Sequence, residues 1–137
     1  MEWKHASLPY YISDDKQLLD KEQICEWLQT TYWAAERSKE MIVKGIDNSL
    51  CFGLYAENEQ AGFVRVVSDY ATFSWVCDVY IDPAHRGAGL GKWMMEILVE
   101  YPAIWHTNMT LATRDAHGLY EQYGFIRREM MRRMAGS

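Results

Sequence analysis

The sequence predicts an α+β fold: a central mixed, mostly antiparallel sheet flanked by about four helices. Three observations lead there. Two helical stretches precede three extended segments joined by short polar turns, which fold most economically as an antiparallel meander. Strand, helix, strand, helix and strand patterns then alternate, an order that makes the sheet mixed. The chain has 137 residues, 49% hydrophobic and 24% charged, enough apolar surface for one core. With no repeat or Pro/Gly/Ser linker, residues 1–137 read as a single domain.

Taken in order, Asp20 to Thr31 repeats Ile24, Trp27 and Leu28 at helical spacing behind a capping Asp20. A second helix is expected from Ala34 to Ile46, with Met41, Ile42 and Ile46 on one side, and Tyr32 and Trp33 stand in the connection. The meander covers Leu50–Glu57, Ala61–Asp69 and Thr72–Asp82. In its third segment Phe73, Trp75, Cys77, Val79 and Ile81 alternate with Ser74, Val76, Asp78, Tyr80 and Asp82, which predicts a strand with two distinct faces. Pro83 ends it. A helix follows from about Gly89 to Tyr101, then a strand from about His106 to Thr113. Asp115 is expected to cap a short helix through Tyr123, Gly124 to stop it, and Phe125 to begin a final extended segment.

Composition narrows the function. Nineteen acidic against fourteen basic residues give a net charge of −5, which argues against general nucleic-acid binding. Residues 1–82 carry −7 and residues 83–137 carry +2. That asymmetry is either ordinary surface variation or the mark of an anionic ligand on the second half and a cationic partner on the first. The first ten residues lack a secretory signal's apolar stretch. Cys25, Cys51 and Cys77 are scattered among core-type residues, so buried free thiols in a reducing, cytoplasmic setting are expected. No Cys or His spacing matches a metal site, and no membrane-spanning run is present. The cluster Arg127, Arg128, Arg132, Arg133 reads as a solvated edge.

The chemistry-bearing segment is Val79-Tyr80-Ile81-Asp82-Pro83-Ala84-His85-Arg86-Gly87-Ala88-Gly89-Leu90-Gly91-Lys92. A strand enters, three glycines turn, and a helix leaves. Unhindered backbone N–H groups can converge on phosphate oxygens there, and the helix N-terminus adds partial positive charge. Two nucleotide motifs fail: only three residues separate Gly87 from Gly91 and Trp93 follows Lys92, unlike a P-loop, and the glycines read GxGxG instead of GxGxxG.

What remains, Arg-x-x-Gly-x-Gly formed by Arg86, Gly89 and Gly91, resembles the pyrophosphate loop of the GCN5-related N-acetyltransferase (GNAT) family. The segment from Ala116 to Phe125 resembles the same family's A-x-x-L-Y-x-x-x-G-F pattern. The likeness is strongest from Thr72 to Phe125 and weakens at both ends, and Thr113 stands where many members have Asn.

The resemblance implies a GNAT-like fold and acetyl-CoA as cosubstrate. It implies that Val79, Tyr80 and Ile81 offer main-chain groups to the pantetheine arm and the oxyanion. The amides of Arg86, Gly87, Ala88, Gly89, Leu90, Gly91 and Lys92 would take the pyrophosphate. Tyr120 matches the acid that protonates the departing thiolate. Asp78 is the first candidate base, or else a structural hydrogen-bonding carboxylate, with Asp69 and Glu36 behind it. Tyr32, Trp33, Arg37 and Phe73 are expected to wall the acceptor site. The implied reaction is acetyl transfer to a primary amine of a small molecule or peptide. The alternative is a noncatalytic acyl-CoA-binding regulatory module. No nucleic-acid, membrane or metal partner is expected, while exposed strand edges suit a homodimer.

Overall fold

The computed structural model describes residues 1–137 and contains one six-stranded sheet. The chain runs β1 (Glu2–Lys4), β2 (Tyr11–Ser13), α1 (Lys21–Gln29), α2 (Lys39–Asp47), β3 (Leu50–Tyr55), β4 (Gln60–Ser68), β5 (Phe73–Ile81), α3 (Leu90–Val99), β6 (Asn108–Leu111) and α4 (His117–Glu121). Short 3-10 turns lie at Lys16–Leu18 and Pro83–His85. Strand order equals sequence order, and every neighbouring pair is antiparallel except β5 and β6. The fold class expected from the sequence is the one found. β1 and β2 are additional strands, three residues each, too short to leave an alternation signal.

Apolar layers cover both faces of the sheet. On one, Phe52, Leu54, Val64 and Val66 pack against Leu90, Met94 and Leu98, a stripe at helical spacing along α3. On the other, Cys51 and Phe63 pack against Ile24, Leu28, Ile42 and Ile46 of α1 and α2. Every residue of β3 is therefore buried. No helix is long and apolar enough to cross a membrane.

Helix starts follow local capping chemistry, and two differ from expectation. Asp20 caps α1, accepting the Gln23 amide, as the sequence suggests. α2 begins at Lys39 instead of Ala34, because Ser38 accepts the Met41 amide at 3.2 Å and Arg37 is drawn away to an ion pair. At α4, Asp115 makes no capping bond; the Thr113 hydroxyl accepts the Ala116 amide at 3.0 Å instead. Gly124 does follow α4 in a left-handed conformation, φ 87°. The segment beginning at Phe125 joins no ladder, so the final strand expected from the sequence is absent and the outer edge of β6 is unpaired.

The strict two-face alternation expected for β5 is broken by a bulge. Arg65 of β4 pairs with Asp78 and Val66 pairs with Val76, so Cys77 is an extra residue and side-chain parity flips there. Val76, Val79 and Ile81 consequently share the α3 face, whereas Tyr80 packs on the α1 and α2 face.

Urea unfolding checks the capping assignments: Asp20→Ala and Ser38→Ala each lose about 1 kcal/mol of stability, while Asp115→Ala changes it by less than about 0.5 kcal/mol.

Candidate active site

Parallel pairing between β5 and β6 runs from Phe73 and Asn108 to Val76 and Leu111, and then ends. Beyond the bulge, β5 is bonded on one side only. The Asp82 amide donates to Ala61 O at 2.8 Å, which fixes the alternation of the ladder. Tyr80 and Asp78 face β4, whereas the backbone groups of Val79 and Ile81 face the open side. Tyr80 thus has no outward amide to offer. Its ring instead stacks on Trp27, with centroids 5.4 Å apart, and lies under the Arg86 guanidinium.

β5 leads into a loop whose amides divide into two sets. Ala84 donates to the Asp82 carboxylate, His85 to Asp82 O, and Arg86 to Pro83 O at 3.4 Å. The next six N–H groups, Gly87 to Lys92, have no acceptor in the protein. Gly87 and Gly89 adopt φ 91° and 76°, left-handed values at which a side chain would be strained. Gly89 starts α3 without a side-chain cap, so the helix amides remain exposed. This is an anion-binding geometry. Arg86 differs from its expected place: its amide closes the turn and its Nε donates to Ile81 O at 2.8 Å. Lys92 is exposed.

Asp78 is a fully buried carboxylate held by four hydrogen bonds: Trp33 Nε1 at 2.9 Å, Arg37 Nη1 at 3.1 and 3.0 Å, and Arg65 Nε at 2.8 Å. Both oxygens are engaged and two guanidiniums balance the charge, so it is a structural clamp, and its assignment as base is corrected on that ground. Asp69 is committed too. Its carboxylate accepts the Thr72 hydroxyl and the amides of Thr72, Ala71 and Phe73, which hold it below the usual carboxylate range. Glu36 is exposed on the connection before α2.

Tyr120 lies on α4, partly buried, its ring edge-on to Phe125 at 6.1 Å. Burial pushes its phenol above the usual value, and Tyr32 and Asp115 push the same way. Its hydroxyl is a free donor. The cysteines are poor nucleophiles by contrast: burial drives Cys51 up to about 12 and Cys77 to about 11.

Three of the four expected acceptor residues cluster. Tyr32 and Trp33 are exposed and meet edge to face at 5.1 Å, and Trp33 and Arg37 share Asp78. Phe73 does not join them. It starts β5, five residues from Asp78, or roughly 16 Å along a strand, and lines a groove of about 1070 Å³ outside β6 that reaches Tyr120 at its other end. Sequence reasoning missed Arg65: the turn at 69–72 alone would set it opposite Cys77, and the bulge shifts the register so that it meets Asp78. It also missed Arg114, whose guanidinium lies 3.6 Å from the centre of the Tyr32 ring; no spacing signal marks that pair.

The family model for a GNAT acetyltransferase domain matches residues 47–127, which include the open-edged β5, the amide loop and Tyr120. The chain belongs to the GNAT family. A candidate acetyltransferase of Gibberella zeae is 33% identical over 111 residues, 66% of this chain and 63% of that protein. The chain therefore spans a little under two thirds of that relative's length. An uncharacterised N-acetyltransferase of Porphyra purpurea is 29% identical over 125 residues, 85% of this chain and 70% of that one. A solved structure from Xanthomonas campestris, of a candidate GNAT-family acetyltransferase, superposes with a TM-score of 0.88 at 38% identity, covering 98% of this chain and 96% of its own. This GNAT domain's matched region thus carries the bulged β5, the uncapped start of α3 and the short α4.

The clamp gives a direct test: Asp78→Ala leaves Arg37 and Arg65 without their shared partner and costs about 3–5 kcal/mol of stability, measured by urea unfolding.

Proposed function

We propose that this chain is an acetyl-CoA-dependent N-acetyltransferase acting on a primary amine of a small molecule or peptide by direct attack. The observation that carries the reading is the row of six unpartnered amides from Gly87 to Lys92 at the start of α3. Such a row suits the diphosphate of coenzyme A. Val79 and the Ile81 N–H, facing the open side of β5, suit the amides of the pantetheine arm, and the Ile81 carbonyl becomes available when Arg86 releases it.

Chemically, the amine enters as its free base and attacks the thioester carbonyl carbon. The carbonyl oxygen gains charge, which the outward amide of Val79 is suited to stabilise. Collapse of the adduct breaks the carbon–sulfur bond, and Tyr120 passes its proton to the thiolate. With Asp78 engaged in its ion pairs, the surplus proton of the amine leaves to water, and Tyr120 is reprotonated from solvent. The exposed faces of Tyr32 and Trp33, beside Asp115 and Arg114, suit an acceptor site. Partly buried and buried unpaired thiols fit a cytoplasmic setting, and the free edge of β6 favours a homodimer.

A second reading, a noncatalytic acyl-CoA-binding regulatory module, is favoured by one observation: Asp78, the carboxylate next to Val79, is sealed in a clamp. Both readings predict that acetyl-CoA at about 100 times its Kd stabilises the chain by about 2.7 kcal/mol in thermal melts. They part on turnover. With a panel of primary amines and thiol release as readout, the enzyme shows turnover that Tyr120→Phe lowers about 100-fold or more while coenzyme A affinity stays within about twofold; the binding module shows none.

Because the Tyr120 phenol is raised and must carry its proton to act, the alkaline fall in kcat comes above the ordinary phenol value of about 10. In Tyr120→Phe that fall is absent. A pH–rate profile measures both.

A further inference from the structure

One network reaches the amide loop that no step of the reaction uses. The Tyr10 hydroxyl lies 2.8 Å from His85 Nδ1, and Glu59 Oε1 lies 3.0 Å from His85 Nε2. The Tyr10 and His85 rings meet edge to face at 89°. The His85 side chain is only 12% exposed although it sits on a surface turn. An Nε2–H donated to Glu59 leaves Nδ1 to accept the Tyr10 proton, so both nitrogens of a neutral imidazole are used.

Tyr10 belongs to the loop between β1 and β2, and the same loop sets His5 edge-on against Trp93, with centroids 4.8 Å apart. His85 immediately precedes Arg86, and Trp93 immediately follows Lys92. One loop therefore touches both ends of the segment that carries the six free amides. That loop is itself held: His5 Nδ1 accepts the amides of Ser7 and Leu8, and the His5 amide donates to Tyr10 O at 2.9 Å. Glu59 is held as well, since its carbonyl accepts the Ala56 amide at 2.9 Å.

We propose that His85 is a positioning residue for the cofactor loop: clamped between Tyr10 and Glu59, and paired with the His5 contact to Trp93, it fixes the direction in which the Gly87–Lys92 amides point. The inference rests on the coenzyme A reading above. Its physical ground is entropy. Two of the loop's residues are left-handed glycines, which lose the most freedom on ordering. A braced loop has met that cost before the ligand arrives, whereas an unbraced one meets it on binding and loses affinity.

The experiment is calorimetric titration of the full chain with free coenzyme A, alongside KM and kcat for acetyl-CoA and amide hydrogen exchange of the apo protein. Wild type binds coenzyme A. Tyr10→Phe and Glu59→Ala each weaken binding about three- to tenfold, and His85→Ala about tenfold or more. Glu59→Gln, which keeps an acceptor oxygen, stays within about twofold of wild type. KM rises with Kd while kcat at saturation holds within about twofold, and exchange at Gly87–Lys92 quickens. Adding Tyr10→Phe to His85→Ala weakens binding no further, because the partner is already gone. Where His85→Ala does not fold, Tyr10→Phe, which removes one oxygen, decides the question. An unchanged coenzyme A affinity in folded variants, or a loss confined to kcat, overturns the proposal. Failure of wild type to bind coenzyme A overturns the coenzyme A reading, and the positioning role with it.

Discussion

The parting of β5 from β6 after Val76 is the constraint on which the rest of this structure depends. A parallel pair that continued to Ile81 would spend the outward groups of Val79 and Ile81 on its neighbour and leave no edge for a ligand. The pairing stops at Val76, and the extra residue of the β4–β5 ladder, Cys77, comes next. That residue shifts the register against β4 and reverses which side chains meet α3, and β5 then runs on to the turn with the six free amides. The free groups at this edge and loop are thus main-chain groups, not a set of charged side chains. That fits a loop in which Arg86 is turned back onto Ile81 and Lys92 stands in solvent.

Such an irregularity needs support, and the Asp78 clamp supplies it. Immediately after the bulge a fully buried carboxylate draws Arg65 from β4, and Arg37 and Trp33 from the connection ahead of α2, onto a single point. Removing charge from water is costly, so the arrangement holds only because every lone pair is used. The same contacts explain why α2 starts late, and they hold the exposed Tyr32–Trp33 connection against the sheet. A residue that sequence chemistry offers as a base is, in its packed setting, the anchor that ties the connection ahead of α2 to the sheet.

Most of the framework was legible because long periodic segments carry their own signal. The meander, α1 and α3 lie within a few residues of where apolar spacing puts them. The glycine turn was legible for a stronger reason: φ values of 91° and 76° are conformations that glycine tolerates best. What escaped was decided by tertiary contacts. Phe73 shares an aromatic character with Tyr32 and Trp33 but sits at the other end of its strand. Asp115 makes no capping bond, and the Thr113 hydroxyl takes the Ala116 amide just ahead of α4, which starts with no side-chain cap. The segment beginning at Phe125 soon turns to charged residues and methionines and finds no ladder partner. The Tyr10–His85–Glu59 chain joins three segments far apart in sequence, and nothing in local spacing announces it.

The central claim, that the Gly87–Lys92 amides grip a diphosphate, is tested most directly by backbone amide NMR during titration with coenzyme A and, separately, with pantetheine, which lacks the diphosphate. The account predicts downfield shifts of these six amide protons with coenzyme A and little change with pantetheine. Equal shifts with both ligands, or coenzyme A shifts confined to other segments, would contradict it.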